Sequence, residues 1–180
     1  MLLSWSITYK TMQKAGFKLL LLLAIICFQA QAFDLDLNIL QQIKERFGEQ
    51  AADRIRHWQR LVRDNQQLQE AEKLKLINGF FNQIRFISDE EHWQREDYWA
   101  TPIEMLATNG ADCEDYSIAK YFTLRELGIA DEQLKITYVK ALRLNQAHMV
   151  LAYYPSLGAE PLILDNLINE ILPASERPDL

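Results

Sequence analysis

Apolar residues recur at helical spacing through residues 38–64. Ile39, Ile43, Phe47, Ile55, Trp58 and Val62 predict an amphipathic helix there, with Gly48 as a bend or a break. A second helical pattern, Leu68, Ala71, Leu74, Ile77, Phe81 and Ile84, covers residues 67–84. Residues 85–100 interleave charges with Trp93, Tyr98 and Trp99 and keep neither period, so an irregular stretch is expected. Thr101-Pro102-Ile103-Glu104 has the form of a capping box with proline at the first helical position, and the short helix it starts should end near Asn109-Gly110. Asp112 is placed to cap the next helix, which runs through Ile118 and Phe122 to Leu127 and stops at Gly128. Beyond Gly128 the period falls from 3.6 to 2. Residues 134–142, 147–154 and 162–165 read as three β-branched and aromatic strands, separated by 143–146 and 155–161. Helices followed by an antiparallel meander make an α+β arrangement, with no internal repeat.

The first thirty-two residues stand apart from this pattern. Lys10, Lys14 and Lys18 precede an unbroken apolar run, Leu19 to Phe28, and no acid occurs before Asp34. Gln29-Ala30-Gln31-Ala32 then supplies small residues in an A-x-A pattern, so residues 1–32 read as a secretory signal peptide cut after Ala32. The run is too short to span a bilayer, which needs ~20 apolar residues. An uncleaved anchor is the competing reading. Cys27 does not fit lipoprotein processing, because Ile26 stands where a small residue is needed. Residues 33–180 are then one exported domain.

Composition adds exclusions. The chain of 180 residues is 49% hydrophobic and 24% charged, which fits one globular domain and not a disordered chain. Its net charge is −6, from 19 basic and 25 acidic residues. Removing residues 1–32 takes away three lysines and no acid, leaving 16 basic against 25 acidic residues, a charge of −9. No nucleic-acid partner is expected of such a surface. The stretches around Trp58 and Trp93 are the candidate exposed anchors for a protein partner.

Without residues 1–32, Cys113 is the only thiol left, so it has no internal disulfide partner. It lies in Asp112-Cys113-Glu114-Asp115, in the first turn of a helix, where the dipole and unpaired N–H groups favour a thiolate. Asp112 and Glu114 oppose that effect unless a cation neutralises them. A cysteine nucleophile needs a base, and the base needs an orienting group. His57 sits beside Trp58 on the long helix and suits a packing or surface role, and His92 lies among charges. His148 opens a strand whose alternate residues Val150, Ala152 and Tyr154 share its face, and Asp165 ends the next strand after Leu162-Ile163-Leu164. Adjacent antiparallel strands would let Asp165 reach His148. Taken singly, each of these residues more commonly has a structural explanation: a buried inert cysteine, a satisfied core histidine, a strand-end aspartate. Asp112, Glu114 and Asp115 put three hard oxygen ligands beside the thiol and are the candidate metal ligands, against the plainer explanation of a solvated acidic helix start. No zinc ligand set is visible.

A set of spaced motifs ties these residues together: Tyr98-Trp99-Ala100-Thr101-Pro102, Asp112 to Ser117, Asn145-Gln146-Ala147-His148-Met149-Val150 and Leu164-Asp165-Asn166-Leu167. Cysteine at a helix N-terminus followed by histidine and aspartate on successive strands resembles the papain-like and transglutaminase-like enzymes. The motifs resemble more closely the bacterial transglutaminase-like cysteine proteinases, the LapG-type periplasmic proteases, from about residue 37 onward. The resemblance implies a papain/transglutaminase-like α+β fold with Cys113 as nucleophile, His148 as base and acid, and Asp165 as orienting group. It also implies Cys113 N–H as one oxyanion donor, the Trp99 indole N–H as another, and Ca²⁺ as cofactor. By the same resemblance the substrate is a large cell-surface adhesin, cut near its N-terminus to release biofilm cells. An inner-membrane receptor responsive to cyclic-di-GMP would sequester the enzyme. The family's domain runs further past the aspartate than Leu180, so a terminal strand or helix is expected beyond it. Two other functions share these residues: acyl transfer to an amine (a protein-glutamine acyltransferase or cell-wall amidase), and a non-catalytic calcium-dependent binding module.

Overall fold

The structure, a computed structural model, describes residues 36–180; the signal peptide read over 1–32 lies outside the described residues. Asp36 accepts from the N–H of Asn38 at 2.9 Å and starts α1, Leu37–Phe47. Gly48, at φ 88°, separates α1 from α2, Glu49–Asp64, so the long amphipathic pattern is broken and not merely bent. Helix α2 buries Ala51, Ala52, Ile55, Trp58, Leu61 and Val62. The indole N–H of Trp58 donates to Thr123 Oγ1 at 2.9 Å, which makes Trp58 a core residue and not the exposed anchor expected from sequence. Trp93 is half-buried.

Helix α3, Glu70–Phe81, starts where Gln69 N–H donates to Glu72 at 3.1 Å and is shorter than its apolar pattern. The stretch expected to be irregular contains two elements, strand β1 (Arg85–Phe86) and helix α4 (Asp89–Trp93). Helix α5, Pro102–Thr108, has the capping box expected of it. Thr101 N–H donates to Glu104 Oε2 at 2.8 Å and Glu104 N–H to Thr101 Oγ1 at 3.2 Å. Asn109, in the left-handed region at φ 56°, closes it, and β2, Gly110–Ala111, leads straight into α6, Cys113–Glu126. Helix α6 is central: it packs against α3, α5, β3 and β4, and it buries Tyr116, Ala119, Lys120, Thr123 and Leu124.

The second half is a four-stranded antiparallel meander, β3 (Leu134–Ala141), β4 (Gln146–Tyr153), β5 (Leu162–Leu164) and β6 (Leu172–Pro173), in that spatial order. The α+β class read from the period change is the one observed; β6 is an addition. Pairing of Leu151 with Leu164 puts Asp165, one residue beyond β5, opposite Val150 and on the same face as His148. That face carries a cluster of Val150, Ala152 and Ile163 against which Val139, Tyr154 and Leu180 pack. Among the described residues no helix is long and apolar enough to cross a membrane.

The two-residue ladder of β1 and β2 is parallel, Arg85 opposite Gly110 and Phe86 opposite Ala111. Parallel strands leave at the same end, so the start of α4 at Asp89 emerges beside the start of α6 at Asp112. Close approach makes the ladder possible. A β-carbon on Gly110 would lie 2.6 Å from Ile87 Cδ1 and 2.8 Å from His92 Cε1. The His92 ring is fixed, since its Nε2 lies 3.0 Å from Thr108 Oγ1 while that hydroxyl donates to Glu104 O at 2.8 Å. With the hydroxyl proton already used, His92 Nε2 is the donor, and His92 is structural. Gly110→Ala is therefore expected to lower the unfolding free energy by about 1–3 kcal/mol, the usual cost of overpacking, measured by denaturant titration. An unchanged midpoint would show that Ile87 and His92 give way freely.

Candidate active site

The histidine half of the site is built by the meander. His148 Nε2 lies 2.8 Å from Asp165 Oδ1, with both side chains buried. Asp165 Oδ1 also accepts from Leu167 N–H at 3.0 Å, and Oδ2 accepts from Arg177 Nη2 at 2.6 Å. Burial alone would raise the Asp165 pKa, but the hydrogen bonds from His148, Leu167 and Arg177 outweigh it and hold the carboxyl at about 2. An ionised carboxylate can only accept, so His148 carries its proton on Nε2 and presents Nδ1 as the basic nitrogen. The pairing of His148 with Asp165 expected from sequence is thus present in the structure.

Cys113 is the first residue of α6, as its cap predicts. Its S–H donates to Glu114 Oε2 at 3.0 Å, and the backbone N–H of Met149, the residue next to His148, acts on the sulfur in the direction that lowers its pKa. No hydrogen bond joins Cys113 to His148. Burial, and then the acceptor and charge of Glu114, push the thiol up to about 12. The helix dipole is worth only about 0.3–1 kcal/mol. A carboxylate about 4 Å away acts with about 4 kcal/mol at an effective dielectric of about 20. With the carboxylates unneutralised, the thiol is the stable form.

The acidic residues divide in a way the sequence did not reveal. Asp89, Asp112 and Glu114 each offer an oxygen, all within 4.8 Å of one another. Asp89 comes from α4, brought there by the β1–β2 ladder. Its Oδ2 accepts from Tyr98 N–H, while Asp89 Oδ1 and Asp112 Oδ1 are buried with no partner. Burial, followed by the charge of Glu114, raises Asp112 to about 8. Asp115, a sequence candidate for the metal, lies outside this trio. Its Oδ1 accepts from Ala100 N–H at 2.6 Å and its Oδ2 from Asp112 N–H at 3.4 Å, so it fastens the turn before α5 to the start of α6. Two orphaned buried carboxylate oxygens beside a third acid fit a hard cation that takes oxygen ligands.

Two more side chains complete the picture. Trp99 is 56% exposed and its indole N–H donates to Asp97 Oδ1 at 3.0 Å, which occupies the donor that the oxyanion role needed. His57 is exposed and meets Phe80 edge-on at 5.5 Å, in keeping with a packing role. Arg177, bonded to Asp165, and Asp89, beside Asp112 and Glu114, were the neighbours of these side chains missed from sequence. The Ser88-x-x-Glu91 spacing could have marked α4, but no local signal announces a contact made across the fold.

A family profile for bacterial transglutaminase-like cysteine proteinases matches residues 46–178. Solved structures of Legionella pneumophila LapG share the fold. The calcium-bound form is 40% identical with a TM-score of 0.71, covering 81% of this chain and 81% of that one. A second LapG structure gives 40% identity and 0.71 over 81% and 79%, and the EGTA-treated form gives the same identity and score over 83% and 80%. No curated protein sequence matches the chain. The chain belongs to the bacterial transglutaminase-like cysteine proteinase family, and that membership indicates a cysteine peptidase.

The carboxylate cluster has a consequence for stability. An unfolded aspartate releases its proton near 3.8, whereas Asp112 in the fold keeps it to about 8. Between those values the folded chain binds the extra proton, so stability falls as pH rises through the window. Asp112→Asn removes that proton uptake. In metal-free buffer the variant's denaturant midpoint should decline less than wild type's from about pH 5 to about pH 8. A decline as steep as wild type's would contradict the assignment.

Proposed function

We propose that this member of the cysteine proteinase family is a calcium-dependent periplasmic endopeptidase in which Cys113 attacks, His148 moves the proton and Asp165 orients His148. One observation carries the reading: a buried Asp165–His148 pair with Nδ1 left as base, on β4, the strand that packs against the helix opened by Cys113. His148 takes the thiol proton, the sulfur adds to the scissile carbonyl, and the same ring returns the proton to the leaving amine. Water then resolves the thioester. The backbone N–H of Cys113, at the start of α6, is one donor for the developing oxyanion.

Asp89, Asp112 and Glu114 would hold the calcium ion, as LapG is calcium-bound in one of its structures. When bound, the ion supplies the positive charge that offsets the carboxylates now keeping the thiol protonated. Asp115 stays with the backbone of Ala100 and Asp112 and keeps the loop in place.

Substrate and control are carried over from the resemblance to the LapG-type proteases. The substrate is a large cell-surface adhesin cut near its N-terminus, which frees biofilm cells. An inner-membrane receptor that responds to cyclic-di-GMP withholds the enzyme. The test is cleavage of the cognate adhesin's N-terminal fragment by purified protein. Wild type should cut it, chelator should stop the cut, and Cys113→Ala and His148→Ala should fall by about 10³-fold or more. Cleavage by Cys113→Ala at the wild-type rate would overturn the reading. Incorporation of a labelled amine without a cut would replace it with acyl transfer.

A further inference from the structure

Asp165 has two carboxylate oxygens, and only one serves His148. The other accepts from Arg177 at 2.6 Å, with the two side chains 2% and 0% exposed. Arg177 does not come from a neighbouring strand of the meander. It belongs to the segment 174–180, which follows β6 and folds back over the sheet. Several bonds hold that segment down. Ser175 N–H donates to Glu160 Oε1 at 2.7 Å, Leu142 N–H donates to Asp179 O at 2.7 Å, and Leu180 packs against Val150, Ala152 and Ile163.

The guanidinium is itself aimed. Its Nε and Nη2 fork onto Asp179 Oδ1 and Oδ2 at 3.0 and 2.9 Å, while Nη2 also reaches Asp165. Asp179 thus fixes the plane of Arg177, and Arg177 fixes Asp165. The charged groups around Asp165 are His148, Arg177 and Lys120; Lys120 is buried on α6 with its ammonium 5.8 Å from the Tyr116 ring. Arg177 offsets one of the two carboxylates, Asp165 and Asp179.

We infer that Arg177 is a positioning residue for the nucleophile's base: by holding Asp165 Oδ2 it reserves Oδ1 for His148 Nε2 and so keeps Nδ1 as the nitrogen that meets the thiol proton. This rests on the Cys113–His148–Asp165 reading above. Without Arg177, a fully buried Oδ2 has no donor, and the carboxylate turns or takes up a proton. Either change loosens the Nε2 bond and lets the imidazole adopt the tautomer with hydrogen on Nδ1, which cannot accept from sulfur. Segment 174–180 is on this account part of the active site although none of it touches substrate. An arginine acting only as a structural pin would change stability and leave thiol chemistry unaltered.

The experiment reads Cys113 alkylation by iodoacetamide against pH, with calcium present throughout, so that no substrate need be known. Wild type, Arg177→Met, Arg177→Lys, Asp179→Asn and His148→Ala are compared at matched folding by circular dichroism. Arg177→Met should alkylate about tenfold to a hundredfold more slowly near neutral pH, the range that outer partners of a functional imidazole command at metal sites. It should approach His148→Ala, with Arg177→Lys restoring most of the rate. Wild-type reactivity in folded Arg177→Met, beside a slow His148→Ala, overturns the inference alone. A His148→Ala rate equal to wild type overturns the triad and the inference with it. Should Arg177→Met fail to fold, Asp179→Asn decides. It keeps the guanidinium and frees its plane, and slowing of about threefold or more supports the inference while an unchanged rate overturns it.

Discussion

Four carboxylates crowd the first turn of α6, and the rest of the site is arranged around how that charge is handled. Asp89, Asp112 and Glu114 face one another, and the buried Asp115 accepts from the backbone N–H of Asp112. Asp115 accepts from two backbone N–H groups and Asp89 from one, yet burial still raises both carboxyls, Asp115 to about 7. Protons answer the charge throughout: Asp112 holds one to about 8, and the thiol of Cys113 holds its own to about 12 while donating to Glu114. The direction follows from magnitudes, since neighbouring carboxylates outweigh a helix dipole several-fold at these distances. The Cys113 thiol is restrained by the same residues whose chemistry suits a cation.

The other half of the site handles buried acid differently. Asp165 and Asp179 are also carboxylates at the sheet, yet each has donors: His148, Leu167 N–H and Arg177 for one, the Arg177 fork for the other. Asp165 is held at about 2 and stays ionised. Both Asp165 oxygens have donors, although Arg177 Nη1 beside them is buried without a partner, whereas the Asp89–Asp112–Glu114 cluster leaves two acceptor oxygens orphaned, which suits a cation. One side of the chemistry is therefore rigid and the other adjustable.

What the sequence disclosed follows the range of the interaction. Local devices were readable: the Thr101–Glu104 box, the glycine break at Gly48, the cap at Asp112, the shift of period at Gly128. Cys113, His148 and Asp165 could be ordered along the chain because helix, strand and next strand each put one residue at a defined end. Contacts closed across the fold were not readable. Trp58 shares the apolar stripe of its helix with Ile55 and Val62, so its burial followed from the pattern that also suggested an anchor; its partner Thr123, on another helix, did not. Asp115 looks equivalent to Asp112 and Glu114 until its oxygens are found on backbone amides. Asp89 lies 23 positions before Asp112, in a stretch of mixed charge where nothing periodic separates it from Glu90 or Glu91. Arg177 follows the last strand among polar residues that look like a tail.

The β1–β2 ladder explains why so small an element matters. Two residues of parallel pairing contribute little stability by themselves, and their value lies in direction. Parallel strands send both chains out at one end, so an aspartate opening α4 and an aspartate capping α6 arrive together without any attraction between them. Antiparallel pairing would have sent the two helix starts to opposite ends. The ladder needs Gly110, because the Ile87 and His92 side chains occupy the space of a β-carbon. Mutual repulsion among the carboxylates is therefore opposed by packing and backbone pairing that are complete before any cation is considered. Such a framework is preorganised for a cation, which need not gather its ligands and so spends less of its binding energy on ordering them.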